Sequence, residues 1–161
     1  MSDIKMFYVP LLPQARIKMF SKACEYGIKA VIHISHQSQK GEKASLKAVA
    51  KAIDSPIAFT AKILQSLVNT HVVISSKGTS GGYEIPEDKY VSMTIFDIVK
   101  AIDGDKIYDG CGLGLKQCNE KRPCPFHDQF KAIRDNLKNS SQNTTIQDMV
   151  RDVQNGLTFL K

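Results

Sequence analysis

The sequence predicts a mainly α-helical chain that carries one small β-hairpin and a long helix towards its C-terminus. Three observations lead there. Apolar residues recur at helical spacing from Ser21 onward and again from Phe126. One stretch, "VVISSKGTSGGYEI" (72–85), breaks that period with two short β-branched or aromatic runs around a glycine-rich turn. Finally, "CGLGLKQCNEKRPCPFH" (Cys111 to His127) gathers three of the four cysteines and a histidine into seventeen residues.

The bulk composition bounds the rest. A chain of 161 residues, 42% hydrophobic, suits one domain or a small domain with an appendage. No run approaches the ~20 apolar residues that span a bilayer. The opening "MSDIKMFYVPLLPQARIKMF" lacks a compact apolar core and a small-residue cleavage site, so it does not read as a secretory leader. The expectation is a cytoplasmic protein in a reducing compartment, where clustered thiols bind metal or react more often than they staple a fold. The net charge is +6. Residues 19–91 hold nine Lys/Arg against six Asp/Glu, and residues 92–161 hold ten against nine. This excess permits nucleic-acid binding without requiring it.

In chain order, residues 1–18 have no amphipathic period, and Pro10 and Pro13 interrupt them; they read as an extension ahead of a start at Met19, or as a flexible arm. From Ser21 to about His36, Cys24, Ile28, Val31 and Ile34 mark a helix. After the polar loop "HQSQKGEK", Ser45 is an N-cap for a short helix with Leu46, Val49, Ala50 and Ile53 inward. Ser55 is the expected cap of the next helix, with Pro56 in its first turn, where the missing N–H costs nothing. That helix turns Phe59, Ile63, Leu64 and Leu67 inward, and its other face (Ser55, Ile57, Ala58, Ala61, Lys62) is small or polar. "VVIS" and "YEI" are strands, joined by the "KGTSGG" turn. "SMTIFDIVKAIDG" presents Ile95, Ile98, Val99 and Ile102 on one helical face and stops at Gly104. The cysteine loop occupies 105–125. A long helix follows, with Phe126, Phe130, Ile133 and Leu137 as its stripe, until "NSSQNTT" interrupts it. Thr144 or Thr145 then caps a last helix bearing Ile146, Met149, Val150 and Val153.

Two short helices followed by a hairpin with a basic, glycine-rich tip outline a winged helix-turn-helix. A helix with a small outer face can enter a DNA groove about 12 Å wide. The hairpin beside it can lay a cation and backbone amides along the phosphates. The expected organisation is therefore a winged helix-turn-helix DNA-binding domain over 19–91, then a cysteine loop and dimerisation helices over 92–161. The long helix lies beyond a domain closed by its own wing, so it is the expected homodimer contact.

The thiol spacing is Cys111-x₆-Cys118-x₅-Cys124, with His127 three residues further on. Thiolates bind soft or borderline metals and hold iron–sulfur clusters. Gly110, Gly112 and Gly114 give the loop freedom to wrap a bound group, and Pro123 and Pro125 bracket Cys124. Three cysteines and one histidine also satisfy zinc, although no C-x₂₋₄-C knuckle is present. Lys116, Lys121 and Arg122 favour a thiolate, so a redox switch stays open. Cys24, on an apolar stripe, reads as a buried small hydrophobe. Cys124 and His127 superficially resemble a nucleophile–base pair, but no orienting acid or oxyanion loop accompanies them; the chain is not expected to be an enzyme.

"YGIKAVIHIS", "SPIAFTAKILQSLV" and above all "SSKGTSGGYEI" with the later cysteines resemble the BadM/Rrf-two family of bacterial winged-helix transcription regulators, which includes an iron–sulphur cluster regulator and a nitric-oxide-sensitive repressor. The resemblance runs from about Met19 to the C-terminus. It implies a homodimer whose two winged helices read a palindromic operator in double-stranded DNA, with no membrane and no small-molecule substrate. It implies that Ser55, Pro56, Ile57, Phe59, Thr60 and Ala61, with Lys62 on the same outer face, lie around the front of the recognition helix. Lys77 takes the wing-tip position, next to Thr79, Ser80 and Gly81. Ala61 stands where the cluster regulator has a base-reading glutamate, so operator preference does not transfer. The resemblance further implies a [2Fe–2S] or [4Fe–4S] cluster on Cys111, Cys118 and Cys124, with His127 as fourth ligand or, aligned on "EYG", Glu25 from the partner subunit. The first two cysteines here are one residue further apart than the family pattern.

Overall fold

The computed structural model describes residues 19–160, so the reading of 1–18 as an extension lies outside the described residues. Helix α1 (Lys22–Ser38) starts at Ser21, whose hydroxyl accepts from the Cys24 N–H. It buries Cys24, Val31 and Ile34 of the expected stripe, leaves Ile28 half-buried, and adds Gly27, Ala30, Ile32 and Ser35. Helix α2 (Leu46–Ala52) is capped by Ser45, which accepts from the Ala48 N–H.

Helix α3 (Ile57–Asn69) begins later than the Ser-Pro pattern suggests. Pro56 is itself the extended cap residue, with φ −56° and ψ 135°, and no side chain caps the helix. Ser55 therefore does not serve as the N-cap. Its N–H bonds to the Ala50 carbonyl, and its buried hydroxyl has no partner among the described residues.

Val72 and Val73 belong to the core rather than to a strand, and their N–H groups bond to the Leu67 carbonyl at the end of α3. Strands β1 (Ile74–Ser76) and β2 (Gly82–Glu84) pair antiparallel, with Ile74 opposite Glu84 and Ser76 opposite Gly82. Ala44, between α1 and α2, adds a bridge to Tyr83 through two reciprocal 2.9 Å hydrogen bonds. The wing is thus anchored to the helical body.

Helix α4 (Ile95–Ile102) is opened by a capping box between Thr94 and Asp97. A four-residue helix, α5 (Lys106–Asp109), follows inside the segment read as loop and buries Tyr108. Helix α6 (His127–Asn143) continues through "NSSQN", where the sequence suggests a break. Its polar end holds because the Ser141 hydroxyl donates to the Leu137 carbonyl and the Asn143 amide to the Asn139 carbonyl, four residues back in each case. The helix stops at extended Thr144, and Thr145 caps α7 (Ile146–Gln154).

Helix α7 returns to pack on α1, and its Ile146 and Val150 enter the main core with Ile34, Val49, Leu64, Leu67, Val73 and Ile98. A second cluster joins Cys24, Val99 and Tyr108, with Phe20, Phe96 and Leu137 partly buried against it. It links the start of α1 to α4, α5 and α6, the elements that frame the cysteine loop. Among the described residues no helix is long and apolar enough to cross a membrane.

Candidate functional site

Helix α3 exposes one continuous face. Pro56, Ile57, Ala58, Lys62 and Gln65 are exposed, and Ala61 is half-buried. Ile57 keeps 49% of its surface open at the front of the helix. Thr60 is not on this face. It is fully buried, one turn before Ile63 and Leu64, and its hydroxyl donates to the Pro56 carbonyl at 3.1 Å. A Thr one residue before Ala61 falls on the inward side because each helical step turns about 100°. Phe59, expected inside, is half-buried and meets Tyr26 edge-on at 5.8 Å. Gln65 was absent from the residues expected on this surface. It stands one turn after Ala61, and with Val68, Ser75 and Tyr83 it lines a small cleft of about 190 Å³ between α3 and the hairpin.

The hairpin tip, Lys77 to Ser80, is exposed, and Lys77 makes no ion pair among the described residues. Gly81 closes the turn. A Cβ there would lie 2.3 Å from the Ser76 carbonyl oxygen, so only glycine allows so tight a return. At the hairpin base, Lys43 bonds Glu84 at 3.0 Å and the Ser76 hydroxyl at 2.9 Å. The resulting surface sets an apolar and polar helix face beside a rigidly seated cationic tip. This can place side chains in a groove and a charge on the neighbouring phosphates.

The second site is the cysteine loop. Its donors form two pairs: Cys111 Sγ lies 3.8 Å from Cys124 Sγ, and Cys118 Sγ lies 3.3 Å from His127 Nδ1. Cys111 and Cys118 line one solvent-open cavity of about 710 Å³, together with Gly110, Lys116, Gln117 and Lys121. Among the described residues no three of the donors converge on a single point. The backbone amides of Leu113 and Leu115 hold the Cys111 thiol below its ordinary range, helped by Cys124 and by the Gly114 amide.

Helix α6 grips this loop at three places. His127, only 6% exposed, holds Cys118. Phe130 lies against Gly112, where a Cβ would come within 2.6 Å of the ring. Arg134 donates from Nη1 to the Gly110 carbonyl at 2.8 Å. These residues sit at i, i+3 and i+7, on the face that also buries Ser141. The expected stripe is consequently divided. Phe130 and Leu137 face inward with this set, while Phe126 and Ile133 stay exposed, Ile133 by 60%. Sequence periodicity missed Arg134 because a charged residue at helical spacing reads as solvated surface.

Glu25, in the first turn of α1, pairs with Lys22 at 3.1 Å and is not a partner of any of the three loop thiols within the chain. Cys24 is fully buried, and burial, then the charge of Asp103, pushes its thiol up to about 12. It belongs to the core, as its position on the apolar stripe suggests.

The profile of the Rrf2 family, described as an iron-dependent transcriptional regulator, matches residues 20–152. A protein of Aquifex aeolicus named as an HTH-type transcriptional regulator is 26% identical over 134 residues, covering 82% of this chain and 91% of its own. The fold is shared with CymR, the global cysteine regulator of B. subtilis, at a TM-score of 0.66 and 22% identity over 82% of this chain and 95% of that one. It is also shared with T. potens IscR, at a TM-score of 0.67 and 18% identity over 86% and 90% of the two chains.

Proposed function

This chain belongs to the Rrf2 family of DNA-binding transcriptional regulators, not to an enzyme family, and from that premise we propose that it is a homodimeric, sequence-specific repressor or activator controlled by an iron–sulfur cluster on the 111–127 loop. One observation carries the cluster reading: the four donors fall into two close pairs, and each pair contributes one thiol, Cys111 or Cys118, to the same cavity. Two thiolates on one tetrahedral ion, each at 2.3 Å, stand ~3.8 Å apart, and a thiolate and an imidazole stand ~3.5 Å apart. The observed separations are close to both values. Donors spread as two pairs suit a group containing more than one iron better than the single point a zinc ion requires.

When bound, such a group supplies a charge and an oxidation state that respond to oxidant, nitric oxide or iron supply. The chain's own residues do the rest. Cys111, Cys118, Cys124 and His127 would hold it. Helix α6 positions the loop through His127, Phe130 and Arg134, and the same helix is the proposed dimer contact through exposed Phe126 and Ile133. Ordering the loop against α6 would shift the angle between two recognition helices on a palindromic site. A preference of about 1–3 kcal/mol between the two arrangements gives a 5–150-fold change in affinity.

The Cys111–Cys124 approach also favours a second reading, a thiol switch. There an external two-electron oxidant would join the two sulfurs, with loss of two protons, at ~2.05 Å. One experiment separates the two. Protein purified without oxygen is analysed for iron, sulfide and zinc, and its visible spectrum is recorded. Iron and sulfide with visible absorption, bleached in Cys118→Ser, supports the cluster. Metal-free, colourless protein whose DNA affinity falls on oxidation supports the switch. Zinc without sulfide supports a structural centre.

A further inference from the structure

We propose that Arg134 is a positioning and charge-compensating residue for the thiol site, an inference that rests on the cluster reading above. Three observations meet at this side chain. It is only 8% exposed. Its only hydrogen bond to the loop goes to the carbonyl of Gly110, the residue that precedes Cys111. Its Nε is buried and has no partner among the described residues.

The nearby carboxylates make no direct ion pair with it. Asp135 is drawn to Lys131 at 2.9 Å and Asp109 to Lys138 at 3.7 Å, and Arg134 forms no ion pair among the described residues. A buried cation without a contact ion pair is costly, and an apolar side chain of similar volume would ordinarily fill the same space at less cost. The arrangement makes sense if an anion arrives beside it. An iron–sulfur group held by three thiolates and one neutral imidazole is anionic in either of the cluster forms considered. Arg134 lies on the α6 face that carries His127, two turns away, and it bonds the backbone that aims Cys111. It therefore supplies positive charge to the site and fixes the direction of the first ligand. Outer-shell groups of this kind typically change metal affinity 10–100-fold.

The test compares the full-length parent with Arg134→Met and Arg134→Lys, each loaded anaerobically with iron and sulfide. Apo Arg134→Met should match the parent in circular dichroism and melt close to it, since relief of a buried charge offsets the lost bond to the Gly110 carbonyl. Loaded, it should release iron to a chelator about 10–100-fold faster and show a lower midpoint potential, because a cation favours the more negative reduced state. Arg134→Lys should recover the potential but not the retention, as it keeps the charge and loses the planar fork. Parental release and potential in Arg134→Met would overturn the proposal. So would an apo Arg134→Met that melts well below the parent while both loaded properties are unchanged. If Arg134→Met does not fold, Arg134→Lys decides alone, faster release supporting the proposal and parental release sinking it. A parent that takes up no iron or sulfide removes the cluster reading itself, and this inference with it.

Discussion

Ser21 donates both its backbone N–H, at 2.9 Å, and its hydroxyl to the carboxylate of Asp103. The same hydroxyl accepts from the Cys24 N–H, so one serine caps α1 and ties it to the end of α4. This clamp sits next to the buried Cys24–Val99–Tyr108 cluster and just ahead of α5 and the cysteine loop.

Asp103→Ala should therefore loosen the start of α1 and the approach to the loop together. The expected loss is about 1–2 kcal/mol, the scale of a lost cap or a charge-assisted bond. Urea unfolding measures it. Asp103→Asn, which can still accept from Ser21, should lose less.

On the DNA face, Lys77→Ala should weaken binding to every duplex alike and lower the salt slope by about one. Thr60→Val should leave operator affinity intact, because the residue is buried, while costing about 0.5–1.5 kcal/mol for the lost bond to Pro56. Fluorescence anisotropy over a salt series, with melting in parallel, reads both. A loss of affinity in Thr60→Val at unchanged stability would contradict the orientation of α3.

Gly112→Ala should impair iron and sulfide uptake without unfolding the helical body, since the new methyl would collide with the Phe130 ring at a point outside both core clusters. Adding Phe130→Leu should restore uptake in part. Iron and sulfide analysis, with circular dichroism as the folding control, gives the answer.

Cys24 should resist alkylation in the folded protein at pH 8 while the three loop thiols react, and it should become reactive only in denaturant. Its folded value, about 12, lies above the unfolded one near 9. The neutral thiol is therefore favoured by folding, and its contribution to stability is complete below pH 9 and lost as pH rises towards 12. Cys24→Ala should flatten the decline of stability across that window. Peptide mapping after iodoacetamide treatment tests the first point, and denaturation at several pH values the second.

Much of this was legible from residue order. Ser45 caps the helix its position suggests, and Thr145, one of the two threonines expected to do so, caps the last one, because a cap is a contact within three residues. The wing was legible because "KGTSGG" leaves the backbone few alternatives. The thiol spacing indicated a site, though not how its donors divide. Ser55 and the end of α6 were misread for a common reason. Serine and asparagine bond locally in several ways, and packing chooses among them.

By itself the sequence determined the helices other than α5, the hairpin and the clustering of soft ligands, since each depends on neighbours a few residues apart. Only the tertiary structure decided that α3 buries Thr60 and exposes Gln65, that Cys111 pairs with Cys124 and Cys118 with His127, and that α6 turns a charged Arg134 inward. Those outcomes depend on which surfaces meet across long stretches of chain. A periodic pattern cannot specify that when the residue turned inward is an arginine.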